Sequence, residues 1–230
     1  MLSGNASALH DRRRRAIARA RLYFVCEARP RGGDPGPLLA AALRGGADLI
    51  QLREKRLPDD ELAAAARPFR EAADRHDALF ILNDRPDLVA ACRADGVHVG
   101  QDDTRVADAR AMAGPDAVVG LSTHSTREVD DACAAEGDAR PDQISVGPVW
   151  ATPTKEGRPA TGLVLIEHAA RVATVPWFAI GGIDRSNVAE VAAAGARRIV
   201  VVRAVRDVPE PEAAARALRQ ALDAIAEAED

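Results

Sequence analysis

Two apolar runs in this chain end on carboxylates. ALFILND stops at Asn83 and Asp84, and GVHVGQDD stops at Gln101, Asp102 and Asp103. A third run leaves as QLREK, in which Gln51, Arg53 and Lys55 alternate and share a direction up to the point where a strand would end. Arginine offers a planar fork of donors and lysine a mobile point charge, a pairing that suits a multiply charged phosphate. Two carboxylates beside such an anion would repel it unless a divalent cation lay between them. Mg²⁺ is held in this way, by one or two carboxylates, several waters and substrate phosphates. If the run ends meet in space, they describe a diphosphate-magnesium site better than a general acid/base pair. Two plainer readings stay open: Glu54 could pair with Arg53 or Lys55 at the surface, and Asp102 or Asp103 could cap a helix beginning at Thr104.

Further run ends carry polar groups. GLSTHS presents Ser122, Thr123 and His124, and GPVWATPTKEG presents Thr152, Thr154 and Lys155 in a stiff, donor-rich loop. IGGID bares the backbone N–H groups of Gly181 and Gly182, a nest suited to a second phosphate. No His/Cys cluster has zinc spacing, and neither a P-loop nor a dinucleotide-binding GxGxxG follows the first strand.

The elements that must position these groups recur regularly. Strands are expected at 22–26, 48–52, 78–82, 96–99, 117–121, 143–146, 176–180 and 198–202. Between them lie helix-compatible segments: LLAAALRGG, PDDELAAAARPFREAADRH with Pro68 able to kink or split it, RPDLVAACRA, TRVADARAMA, STREVDDACAAEG, LVLIEHAARVA, RSNVAEVAAAG and a final EPEAAARALRQALDAIAEA. Short aliphatic strands alternating with alanine-rich helices argue for a parallel sheet covered by helices. Eight such units close an α/β protein of the (β/α)8 (TIM) barrel type, with an open doubly wound sheet as the alternative. In a barrel every strand end points to one mouth, so these polar groups belong together. With aromatic content at 3%, the barrel interior is expected to be largely aliphatic.

The 230 residues, of which 47% are hydrophobic, suit one substantial core. The expected organisation is a basic extension over 1–21 and a single catalytic barrel over 22–230. Mixed charges with a net of -4 give no sign of nucleic-acid binding, and no run is long enough to span a bilayer. Cys26, Cys92 and Cys133 lack metal spacing and read as ordinary reduced thiols, so the cytoplasm is the expected location. Arg12 to Arg15 form a compact basic cluster, read as part of a solvated leader helix. A homo-oligomer is compatible with the sequence.

QLREK, ILND, ADGVHVGQDD, GLSTHS, SVGPVWATPTK and AIGGI occur in the order and approximate spacing of the thiamine phosphate synthases, which the chain resembles from about Leu22 to the final helix. The resemblance implies a transferase. It joins 4-amino-5-hydroxymethyl-2-methylpyrimidine diphosphate to 4-methyl-5-(2-phosphoethyl)thiazole, or to its carboxylated form, and releases diphosphate. By that likeness, Gln51, Arg53, Lys55, Asn83, Ser122 and Lys155 contact the pyrimidine diphosphate. Among them Arg53, Lys55, Ser122 and Lys155 are expected to be catalytic. Asp84 and Asp103 would hold Mg²⁺, with Asp102 a weaker candidate, while Thr152, Thr154, Gly182, Val202 and Arg203 would face the thiazole phosphate. The family's reaction is dissociative: the aminopyrimidine supports a methylene cation and the protein needs no nucleophile. His124 is expected to orient rather than act as a base. Arg203 departs from the family, which commonly has serine there. A related thiazole tautomerase, which would not be expected to keep both GQDD and TPTK, and a non-catalytic scaffold barrel are the rival readings.

Overall fold

A computed structural model describes residues 3–55, 57–152 and 159–227. Eight parallel strands close on themselves in sequence order: β1 (Leu22–Cys26), β2 (Leu49–Leu52), β3 (Leu79–Asn83), β4 (Gly96–Val99), β5 (Val118–Thr123), β6 (Gln143–Val146), β7 (Trp177–Ile180) and β8 (Ile199–Val201). Closure is made by β1, whose Tyr23 is in register with Leu49 of β2 and with Val200 of β8. This is the (β/α)8 barrel, and it sets aside the open doubly wound sheet.

The helices are α1 (Ser3–Arg19), α2 (Gly36–Arg44), α3 (Asp59–His76), α4 (Val106–Ala113), α5 (Thr126–Ala134), α6 (Gly162–Val172), α7 (Val188–Ala193), α8 (Arg203–Arg206) and α9 (Pro211–Glu227). α3 shows why they form. Asp59, Asp60 and Glu61 occupy its first turn and Arg75 and His76 its last, matching the helix dipole, while Leu62, Ala66, Phe69 and Ala73 are buried. Phe69 meets Phe80 of β3 with ring centroids 5.6 Å apart. Pro68 does not split the helix. The Ala64 carbonyl, denied its N–H partner by the proline, accepts instead from Arg67 Nε at 3.4 Å.

Three expectations need correction. RPDLVAACRA is not a helix: a 3-10 turn over Pro86–Leu88 leads into irregular turns, and the segment ends with Arg93 in a left-handed conformation, φ 54°. Pro86 lacks a donor, and the eight residues after it suffice only to tuck Val89 and Cys92 into the core. The barrel interior is aliphatic in large part, with Val25, Leu49, Ile81, Val118 and Val200 in one buried cluster, but not throughout. Tyr23 and Phe178 pack edge to face inside it at 5.6 Å, and Gln51, Asn83, His98, Ser122, Gln143 and Ser145 are buried polar residues. Finally, the leader helix α1 is docked rather than merely solvated. Ile17 and Ala20 are buried in the interior cluster with Tyr23, Leu49 and Phe178, and Arg13 Nη2 meets Asp95 Oδ1 at 2.7 Å.

α1 therefore covers the barrel floor, where a recurring device fixes strand starts. Asp48, Asp95 and Asp142 immediately precede β2, β4 and β6. Each accepts a backbone N–H from the strand before, of Leu22, Phe80 and Val119 at 3.0, 2.9 and 2.8 Å. Each also meets an arginine: Arg219, Arg13 with Arg70, and Arg110 respectively. Pairing makes Asp95 and Asp142, which are buried, tolerable; Asp48 is half-buried.

Candidate active site

Strand parity decides what the mouth contains. The residues that alternate inward place Gln51, Asn83, His98, Ser122 and Ser145 in the upper layer of five consecutive strands, β2 to β6. The same layer on β7, β8 and β1 is apolar: Ile180, Val200 and Val202 just beyond it, and Val25. A cavity of about 730 Å³ opens above both halves.

On β4 to β6 the polar groups form a connected network. Gln143 Nε2 lies 3.1 Å from His98 Nδ1, and His98 Nε2 lies 3.0 Å from Ser122 Oγ and 3.3 Å from Ser145 Oγ. With the Gln143 amide donating to Nδ1, the ring proton sits on Nε2 and is donated to a serine. Gly120 makes room for this pair, since a Cβ there would stand 2.1 Å from Gln143 Nε2 and 2.5 Å from His98 Nδ1. Gln51 Nε2 donates to Tyr23 Oη at 2.7 Å. Asn83 Nδ2 is buried without a hydrogen-bond partner among the described residues, a donor that a ligand can satisfy.

The two run-end carboxylates do meet. Asp84 and Asp103 lie close enough to interact directly, and burial, reinforced by the facing Asp103, raises the Asp84 carboxyl above its ordinary value while Lys55 pulls it back. Lys55 Nζ stands 3.5 Å from Asp84 Oδ2. Asp84 adopts φ 60°, a conformation costing a non-glycine residue about 1 kcal/mol, with its N–H donated to the His98 carbonyl at 2.9 Å. Asp103 Oδ2 accepts from Gly100 N at 2.8 Å. The helix after it, α4, starts only at Val106, with Arg105 at its N-cap, so neither Asp102 nor Asp103 caps it. Glu54 does not pair with its cationic neighbours either: its Oε1 accepts from Ala28 N at 2.8 Å.

Of the expected site residues, Gln51, Arg53, Asn83, Ser122, Thr152, Gly182, Val202 and Arg203 line the cavity. Lys55, Asp84 and Asp103 gather beside it at the rim. Thr154 and Lys155 lie outside the described residues. Gly181 and Gly182 have φ 107° and 70°, and side chains there would strike Pro148 and Trp150 at 2.5 and 2.9 Å, so only glycine allows the β7 end to pass under the β6 loop. Ser125 caps α5, its Oγ accepting from Glu128 N, and Glu128 Oε2 reaches back to accept from His124 N, the residue before the cap. His124 Nδ1 meets the Gly147 carbonyl, tying the end of β5 to the β6 loop. The sequence reading assigned no role to His98, Gln143 or Ser145. Their period-two register with Asn83 and Ser122 is the signal that would have found them.

A barrel with cations, facing carboxylates and a glycine nest around one mouth is of the class that handles phosphorylated small molecules. The comparisons with known proteins narrow this. The profile described as thiamine monophosphate synthase matches residues 22–205. The chain is 50% identical over 201 residues to the thiamine-phosphate synthase of Acidothermus cellulolyticus, covering 87% of this chain and 93% of that one. It is 47% identical over 219 residues to that of Thermobifida fusca, covering 94% and 98%. Among solved structures, the thiamine phosphate pyrophosphorylase from Pyrococcus furiosus superposes with a TM-score of 0.80 at 30% identity, covering 92% of this chain and 98% of that one. The chain belongs to the thiamine monophosphate synthase family and is a transferase with thiamine-phosphate synthase activity. These matches do not favour the tautomerase or the scaffold. No described helix is long and apolar enough to cross a membrane.

Proposed function

We propose that the two halves of the mouth divide the substrates, the polar half taking the pyrimidine diphosphate and the apolar half the thiazole phosphate or its carboxylated form. The observation that carries this is their opposition across one cavity: Arg53 and Asn83 on one side, Gly182, Val202 and Arg203 on the other. An aminopyrimidine ring needs donors and acceptors in fixed places, which Gln51, Asn83 and Ser122 supply. Arg53 and Lys55 bind the diphosphate and favour its departure, because the charge that grows on the leaving oxygen is greatest in the transition state. Thr152 and the Gly181-Gly182 nest hold the thiazole phosphate so that its ring nitrogen faces the departing carbon. The family resemblance assigns Lys155 to the diphosphate with Arg53 and Lys55, and Thr154 to the thiazole phosphate with Thr152. The apolar wall of Ile180 and Val202 keeps water from the cationic methylene that the thiazole must capture.

The donor set at Asp84 and Asp103 fits Mg²⁺: two hard oxygen ligands, with the Asp84 carboxyl raised by burial and then by the facing Asp103, a repulsion that a divalent cation would relieve. Held there by Asp84 and Asp103, Mg²⁺ would supply neutralisation of diphosphate charge. Cytoplasmic work suits three cysteines that are all free thiols, two of them buried. Diphosphate release by metal-stripped enzyme should be negligible with both substrates present and should return on adding Mg²⁺. Undiminished turnover after chelation would overturn the metal assignment.

A further inference from the structure

The apolar half of the mouth carries cations that the fold leaves uncommitted. Arg203 begins α8 and Arg185 lies in the turn before α7; both are exposed and both line the cavity beside Gly182. Neither forms an ion pair among the described residues, although acids are near. Glu27 follows β1, and Asp207 lies one helical turn beyond Arg203, at a spacing that ordinarily favours pairing. Both are taken by one neighbour. Arg206 Nη1 meets the two Glu27 carboxylate oxygens at 2.7 and 3.0 Å, and its Nε and Nη2 meet Asp207 Oδ1 and Oδ2 at 2.7 and 2.8 Å. The Arg206 side chain is 19% exposed, so this fork is held in place by its surroundings. Two other carboxylates reach the cavity edge. Asp184 is engaged by Ser186 N and Oγ, and Glu210 is exposed to water.

A guanidinium already paired must give up hydrogen bonds to reach a ligand, whereas one without an internal partner keeps its whole donor fork for the incoming anion. We propose that Arg185 and Arg203 are the side chains that read the acceptor phosphate, and that Arg206 is a positioning residue that keeps Glu27 and Asp207 off Arg203. This rests on the placement of the thiazole phosphate in the apolar half. Asp207 is itself held below the ordinary carboxylate range, chiefly by Arg206 and with smaller help from Arg31 and Arg203. That agrees with an acid whose hydrogen bonds go to Arg206 while Arg203 acts on it only through its field.

Steady-state kinetics with each substrate varied, at low and high salt, test this. Arg203→Ser and Arg185→Ser should each raise the KM for the thiazole phosphate by about fivefold at low salt, the scale of one exposed ionic contact, and should flatten its salt dependence. The KM for the pyrimidine diphosphate and kcat should stay within about twofold of wild type. Arg206→Gln should raise the thiazole phosphate KM by a similar factor. Adding Glu27→Gln and Asp207→Asn to it should restore the wild-type value, because the competing acids are gone. An unchanged thiazole phosphate KM in Arg203→Ser and Arg185→Ser would overturn the phosphate-reading role. A triple variant with a wild-type pyrimidine diphosphate KM and no recovery would overturn the positioning role of Arg206. If wild-type enzyme shows no saturable use of the thiazole phosphate, the placement of that substrate fails instead.

Discussion

The two halves of the mouth solve opposite problems with the same backbone. From β2 to β6 the upper interior layer is polar; on β4 to β6 its groups are tied to one another, with His98 at the centre of contacts to Gln143, Ser122 and Ser145, while Gln51 bonds Tyr23 and Asn83 Nδ2 has no hydrogen-bond partner among the described residues. From β7 to β1 the layer is apolar, and the polar groups lie farther out, in a glycine nest and in arginines that line the cavity. The first half can distinguish a ring by its donors and acceptors, since a mismatched ligand would leave buried polar groups unsatisfied. The second can read only charge and shape. On the proposed division, a barrel that holds two substrates in one mouth separates them by the chemistry of each wall.

The comparison breaks most readily at the carboxylate edge. Asp84→Asn and Asp103→Asn keep side-chain size but remove a hard ligand, so kcat should fall by about 100-fold and the Mg²⁺ requirement should rise. The thiazole phosphate KM should move little, because these residues belong to the other half. Wild-type turnover and metal dependence in both variants would refute the paired-carboxylate account.

Gly120→Ala probes the polar network without touching a charge. Its Cβ would collide with the Gln143–His98 pair, and relief requires shifting a buried, hydrogen-bonded unit. Overpacking of this kind costs about 1–3 kcal/mol, visible as a Tm lowered by about 2–4 °C for each kcal/mol. The KM for the pyrimidine diphosphate should rise and that for the thiazole phosphate should not. A rise in both would mean that the halves are mechanically coupled. Ile180→Val gives the smallest effect. It trims one methylene from the apolar wall, so the thiazole phosphate KM should change by less than about threefold, with no change on the pyrimidine side.

Much of this was legible before any coordinates. Each strand lies within a residue or two of its expected range, because branched aliphatic runs bounded by glycine, proline and aspartate have few other uses in a 230-residue α/β chain. The strand-end polar residues did converge, as barrel topology requires. The segment after Asp84 misled because its helix-like composition carries no record of how short a path back to β4 is. His98 escaped notice because GVHV was counted as an apolar run, whereas parity turns its histidine inward beside Ser122. The basic cluster Arg12 to Arg15 suggested a solvated surface, since a sequence does not show that Asp95 and Asp142 wait at the barrel floor.

What the sequence by itself determined is local: the order of eight β/α units, the glycines that β7 needs to pass beneath the β6 loop, and the residue types at each strand end. These follow from backbone sterics and from hydrophobic period, which act over a few residues. Tertiary structure alone decided which charges are spent and which are kept. Arg206 reaches Glu27 across 179 positions and Arg13 reaches Asp95 across 82, while Arg203, three residues from Arg206, forms no ion pair among the described residues. An ion pair depends on distance and desolvation at its two ends, and only the closed barrel sets both.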